Sequence, residues 1–265
     1  EETQAVVWNL YDSYKELGRK NLLETYHDAV QYKDEGLTLF ALGHLSLTER
    51  VMAEDYFWAI GRKILRLLRD IEDIPEELEG LERLLADTYF CNFSIFQSIP
   101  DAWAVDQLFP VMPLHRLNER PTRRAVLADI TCDSDGQIDA FIDRRDVKHV
   151  LELHPLNGEA YYLGFFLVGA YQEILGDLHN LFGDTHTVHV SLAPTGEYRL
   201  DRVVPGETVA DVLQYVSYSR EDLLARLRGA LERALRSKRI TLEESRHLLK
   251  IYEAGLSSYT YLGAD

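Results

Sequence analysis

Cys132 and Asp133 stand side by side in the run Ala128-Asp129-Ile130-Thr131-Cys132-Asp133-Ser134-Asp135-Gly136. A thiol can deliver a proton or, as thiolate, attack a substrate, and a neighbouring carboxylate can hold a cation. Val126, Ala128 and Ile130 share one face of an extended segment, and the Asp, Ser and Gly residues that follow favour a turn. Cys132 is therefore expected at the rim of a sheet. Residue type alone favours a blander role, because a free Cys commonly packs as a small hydrophobe and acidic turns are commonly just solvated. Asp135 reads as a turn-former first and a ligand contact second.

The stretch Asp133-Ser134-Asp135-Gly136-Gln137-Ile138-Asp139 resembles the middle of a calcium-binding EF-hand loop. With Gly136 at loop position six, position one is Thr131 and position twelve is Ile142, so the opening Asp and the bidentate Glu are both missing. That reading fails.

The elements that must carry this turn belong to a chain of 265 residues, 46% hydrophobic, which is long enough for two or three cores and too apolar for disorder. No apolar run approaches the roughly 20 residues of a membrane helix, and Glu1-Glu2-Thr3-Gln4 resembles no signal peptide. A net charge of -16 opposes phosphate backbones and anionic lipid, which argues against nucleic-acid and membrane binding. Two distant cysteines, Cys91 and Cys132, form neither a disulfide framework nor a zinc motif, and a reducing compartment, the cytoplasm, fits best. His179, His186 and His189 come nearest to a cluster, but surface or sheet roles are expected for them and no protein-only metal site is expected. The absence of an initial Met and the abrupt helical start suggest a segment of something longer.

Residues 1–88 read as a helical bundle. Val6, Leu10, Tyr14 and Leu17 form a helical stripe, continued by Leu22, Leu23, Tyr26 and Val30 and interrupted by Gly36 and Gly43. Ser46 with Glu49 has capping-box spacing and opens a long helix with Val51, Phe57, Ile60, Ile64, Leu67 and Leu68 as apolar positions. Pro75 ends or restarts it, and Leu78, Leu81, Leu84 and Leu85 mark a third helix of an antiparallel bundle. Residues 89–205 read as a mostly antiparallel β-domain, with strands near 89–97, 108–116, 123–131, 148–153, 160–171, 186–192 and 197–204, the last two joined by Ala193-Pro194-Thr195-Gly196. Residues 206–265 return to helix, capped at Ser219 with Asp222 and at Thr241 with Glu244. The fold class is α+β, with no internal repeat.

Three blocks carry a more specific signal: Asn92-Phe93-Ser94-Ile95-Phe96-Gln97-Ser98 with Asp101-Ala102-Trp103-Ala104; residues 128–136; and the stretch from Gly164 through Gly169-Ala170-Tyr171 to Leu178-His179-Asn180-Leu181-Phe182-Gly183-Asp184. Together they resemble the C-terminal part of the bacterial biosynthetic arginine decarboxylases, across nearly the whole chain. That resemblance implies a pyridoxal-phosphate enzyme of alanine-racemase-like architecture, with a cofactor-bearing (β/α)8 barrel followed by a β-domain. It implies that Cys132 reaches across a dimer interface toward the partner's cofactor, that Asp133 contacts the distal basic group of the substrate, and that Tyr171 meets the cofactor phosphate. It places Phe182 near the dimer seam or substrate entrance.

These residue types suit the implied chemistry. A positioned acid must protonate the α-carbon after carbon dioxide leaves, and a thiol can do so. A carboxylate suits a guanidinium through charge-assisted, potentially bidentate hydrogen bonds. Diaminopimelate decarboxylases resemble this architecture but usually carry Glu after the Cys, so Asp133 points to a cationic side chain, arginine or ornithine. Arginine is preferred on the helical insertion and the 176–184 stretch. The Schiff-base lysine belongs to a barrel for which this chain has no alternating strand and helix series. The chain alone is therefore expected to be inactive, and the parent to turn L-arginine into agmatine and carbon dioxide for polyamine synthesis, as a dimer or tetramer; a Mg2+ requirement stays open. Two other readings compete. The segment could serve chiefly as a homo-oligomer assembly module, or its β-domain could bind a cation or small amine by itself.

Overall fold

The computed structural model describes residues 4–68, 75–144, 146–176 and 178–263. The chain divides into two compact units. One contains Glu1–Asp87, Arg120–Val126 and His149–Pro155, and the other Thr88–Glu119, Leu127–Lys148 and Leu156–Asp265.

Three long helices build the first unit: α1 (Ala5–Glu16), α2 (Leu22–Ala41) and α3 (Leu47–Leu68). Their connections are a few residues long and every pair is in contact, so they run antiparallel to their neighbours. The apolar stripes meet in one core, where Leu10, Ile60 and Ile64 are wholly buried beside Val6, Phe57 and Leu68. The Ser46 capping box forms, with the Glu49 carboxylate accepting from the Ser46 backbone N–H at 2.9 Å and from its hydroxyl at 2.7 Å. Two expectations fail here. Gly36 does not interrupt the stripe; it lies inside α2, where a Cβ would touch Ala53, Leu45 and Val6, so it is a point of close helix packing. Val51 is exposed and faces away from the core.

Gly43 does stop α2. Its φ of +76° suits glycine, and the Gly43 and His44 N–H groups donate back to Phe40 and Leu39 carbonyls, a Schellman closure. The region expected as a third helix is two single turns, α4 (Glu76–Glu79), begun by Pro75, and α5 (Leu81–Leu84). Leu78 and Leu81 join the core while Leu84 stays exposed.

The strands are short: β1 (Asp87–Phe90), β2 (Val111–Pro113), β3 (Arg123–Ala128), β4 (Gln137–Ile138), β5 (Phe141–Ile142), β6 (Val147–Lys148), β7 (Leu151–Leu153), β8 (Leu163–Phe165), β9 (Thr187–Leu192) and β10 (Tyr198–Val204). In the first unit Arg123, Arg124 and Ala125 of β3 pair antiparallel with Leu153, Glu152 and Leu151 of β7. In the second, Leu127 and Ala128 of β3 pair with Ile138 and Gln137 of β4, β2 pairs with β8, β5 with β6 and β9 with β10, all antiparallel.

The β9–β10 hairpin turns at Gly196, whose φ is +85°. Its cross-strand pairs Leu192 with Tyr198, Val190 with Leu200 and Val188 with Val203 put six large apolar side chains on one exposed face.

Two of the expected strands are shorter than their spans and give way to helix. Within 89–97, Ser94 caps α6 (Ile95–Ser98) by accepting from the Gln97 N–H, and α7 (Pro100–Ala104) follows with Pro100 at its first position. Within 160–171, the strand ends at Phe165 and α8 (Ala170–Leu175) begins, bounded by Gly169 and Gly176. These helices, none longer than six residues, are too short to show a 3.6-residue period.

The C-terminal helices α9 (Val209–Tyr215), α10 (Arg220–Arg236) and α11 (Leu242–Leu256) carry caps at Thr208, Ser219 and Thr241. Among the described residues no helix is long and apolar enough to cross a membrane.

Candidate active site

The buried face of β3 and its extension is Ala125, Leu127 and Asp129; Val126, Ala128 and Ile130 form the half-buried face. Asp129 is 3% exposed, and a carboxylate there must be paired. Its Oδ2 accepts from the Ile95 N–H at 2.9 Å, at the start of α6. Its Oδ1 accepts from the Thr131 N–H at 2.9 Å and the Thr131 hydroxyl at 2.7 Å. The Asp129 N–H donates to the Gly136 carbonyl at 2.7 Å, closing a loop that holds residues 130–135. Only glycine fits at 136, because a Cβ would collide with the Asp129 carboxylate and the Thr131 hydroxyl.

The loop presents Cys132 and Asp133 to solvent. The Asp133 Oδ1 accepts from the Asp135 N–H at 3.0 Å, an Asx turn that fixes the carboxylate while leaving acceptor capacity outward. Asp135 is the turn-former expected, and its Oδ2 also meets the Trp103 indole N–H at 3.4 Å. Beside it a groove of about 190 Å³ is lined by Trp103, Asp106, Asp135 and Asp139, an acidic and aromatic surface.

A second loop approaches the thiol. The Asn180 side-chain amide lies 2.9 Å from Cys132 Sγ. This loop is braced from behind by a polar network: the Gln97 amide donates to Asp184 Oδ1 at 2.9 Å, the Tyr261 hydroxyl donates to the Gly183 carbonyl at 2.9 Å, and the Gly183 N–H donates to the Thr260 hydroxyl at 3.0 Å. Burial pushes the Tyr261 phenol well above its ordinary value, so it stays protonated and keeps donating. Phe182 stacks against Tyr261 with ring centroids 5.0 Å apart, a packing position. Asp177, in the middle of this stretch, lies outside the described residues.

Tyr171 stands on α8, not on a strand, and its side chain is exposed. The adjacent Gln172 is buried and anchors the helix through Asp101, accepting from its N–H at 3.1 Å and donating to its carboxylate at 2.5 Å. Among the described contacts none joins Tyr171 to the Cys132 turn. Tyr162 is exposed, and Tyr161 lies against His115.

Cys91 lines an aromatic cavity of about 740 Å³ with Phe93, Tyr161 and Phe165, and burial pushes its thiol up to about 11. His179 packs on Phe96, and His186 stacks on Tyr259 and accepts from the Gly206 N–H. Among the described residues no three His, Cys, Asp or Glu side chains gather as a metal site.

Sequence reasoning missed Asp129 and Asn180. The first left a signal: a carboxylate in step with Ala125 and Leu127 falls on an apolar face and must do structural work. The second left none, since its partner lies 48 residues away.

Comparison with known proteins gives the architecture its context. Residues 1–82 match the arginine decarboxylase helical bundle domain, and residues 209–262 the arginine decarboxylase C-terminal helical extension. The biosynthetic arginine decarboxylase of Gloeobacter violaceus is 58% identical over 97% of this chain and 41% of its own length, and that of Thermosynechococcus vestitus 54% identical over 99% and 41%. The crystal structure of the biosynthetic arginine decarboxylase SpeA from Campylobacter jejuni superposes with a TM-score of 0.78 at 35% identity, over 100% of this chain and 42% of that one. Bundle, small antiparallel sheets and helical extension thus define a decarboxylase module. The chain belongs to the biosynthetic arginine decarboxylase family, and it spans about two fifths of the length of the curated relatives it matches.

Proposed function

We propose that this chain is the part of a biosynthetic arginine decarboxylase that completes an active site held mainly by a barrel, with Cys132 as the acid and Asp133 as the guanidinium ligand. The parent reaction converts L-arginine to agmatine and carbon dioxide. The observation that carries this reading is the exposed Cys132–Asp133 pair on a loop that the buried Asp129 carboxylate and Gly136 hold in place. A purely packing cysteine would be withdrawn from solvent, as the half-buried Cys91 partly is.

Pyridoxal phosphate, when bound, supplies the electron sink for loss of carbon dioxide. The chain's own residues fit a supporting role toward it. Tyr171 offers an exposed phenol on a helix fixed by buried Gln172, suited to a phosphate oxygen. Cys132 gives its proton to the substrate α-carbon: the S–H bond breaks, the C–H bond forms, and sulfur keeps the electron pair. Asp133, already oriented by the Asp135 N–H, pairs with the guanidinium and selects a cationic substrate.

A parent-length protein and its Cys132→Ala variant, supplied with pyridoxal phosphate and L-arginine, test this. The variant should bind cofactor normally and release carbon dioxide in excess of agmatine, because protonation goes astray. Equal rate and product in both would leave Cys132 structural and favour a second reading, a homo-oligomer assembly module, which the exposed apolar face of β9–β10 supports.

A further inference from the structure

We infer that Asn180 is a positioning residue for Cys132: its side-chain amide donates to the sulfur, holds the thiol in one orientation, and steadies the negative charge left when the proton departs. The inference rests on the proposed role of Cys132 as the acid.

Two observations carry it. The first is the 2.9 Å approach of Asn180 Nδ2 to Cys132 Sγ, between loops 48 residues apart. The second is the backbone needed to make that approach. Asn180 has φ 55° and ψ 23°, and the next residue, Leu181, has φ 63°. Asn tolerates the left-handed region because its short polar side chain can bond locally, but a following Leu does not, so consecutive residues there need outside support.

The support is present on both sides of the loop. His179 packs on Phe96 with ring centroids 4.3 Å apart, and Gly183 is held by Tyr261 and Thr260. The amide is therefore delivered to the sulfur by a frame.

The chemistry is consistent with an acid. A sulfur that accepts a hydrogen bond keeps its own proton free to give away. Once the S–H bond breaks and the α-carbon gains the hydrogen, the same N–H faces a thiolate, where a hydrogen bond is stronger. The donor thus favours the state after proton transfer.

The test is alkylation of Cys132 by iodoacetamide in this chain at pH 7, with Cys132→Ser to subtract Cys91. Asn180→Gly keeps the left-handed backbone without the amide. Asn180→Asp keeps the shape but turns the donor into a charged acceptor. The rate should fall roughly 3- to 10-fold in the glycine variant and further in the aspartate variant, because the thiolate is the nucleophile and loses its donor. A structural role predicts the opposite order, the isosteric aspartate being the milder change. In the parent-length protein, Asn180→Gly should also raise carbon dioxide release over agmatine without changing KM for arginine. Alkylation at the parent rate in both variants overturns the inference while leaving the acid role to the Cys132→Ala result; an unaltered Cys132→Ala enzyme overturns the acid role itself. If the glycine variant melts early, the aspartate variant decides alone.

Discussion

The helical bundle and the 129–136 loop keep their shapes by opposite means. In the bundle, Leu10, Ile60 and Ile64 are sealed among apolar neighbours, and each contact is non-directional. In the loop, one buried carboxylate accepts three hydrogen bonds and its own N–H closes the turn. Apolar packing depends on volume and so tolerates a change of shape. A hydrogen-bonded pin depends on which atom is donor and which acceptor, and even an isosteric change can break it.

The largest effect that sharpens this contrast is Ile60→Ala, which should cost about 2–5 kcal/mol through lost burial and an unfilled cavity, read from the urea midpoint. Ile60→Leu, nearly volume-conserving, should cost less than about 1.5 kcal/mol. Asp129→Asn is the corresponding test of the loop. With its oxygen on Thr131, the new amide faces the Ile95 N–H, donor against donor, and the change should cost about 1–3 kcal/mol. It should also release the Cys132 turn, seen as lost amide-exchange protection over residues 130–136. An Asp129→Asn protein as stable and protected as the parent would erase the distinction between the two regions.

A smaller effect separates surface caps from both. The Thr241 backbone N–H, then its hydroxyl, hold the Glu244 carboxyl below its ordinary value of 4.5. A depressed folded-state value means that this contribution is present above about pH 4.5 and lost as pH falls through the folded value. Protection at the first turn of α11 should therefore fade in acid before the bundle melts. Thr241→Ala keeps the backbone N–H contact but loses the hydroxyl, so it should weaken the protection at neutral pH and cost about 1 kcal/mol.

The same contrast explains what the sequence revealed. Periodicity finds apolar packing, so Val6, Leu10, Phe57, Ile60 and Ile64 were legible as one core. Fixed-spacing polar signals were legible too: the capping boxes at Ser46 and Thr241 and the hairpin ended by Gly196. The helices α6, α7 and α8 hid because none exceeds six residues, too few to repeat a period. Gly36 misled because glycine inside a helix can mean close packing as readily as a break. In the candidate site, Cys132 and Asp133 were visible as residue types on a turn. Asn180 was not, because its contact joins segments that only tertiary structure brings together.

The β9–β10 ribbon has a consequence for how this chain behaves as a solute. Six apolar side chains on a narrow two-stranded platform make a sticky stripe, while the net charge of -16 supplies a long-range repulsion between copies. Repulsion of that kind reaches about 10 Å at 0.1 M salt and about 3 Å at 1 M. Colloidal stability of the chain thus follows ionic strength: dilute buffer keeps the stripes apart, and concentrated sulfate or phosphate both screens the charge and strengthens the attraction between them.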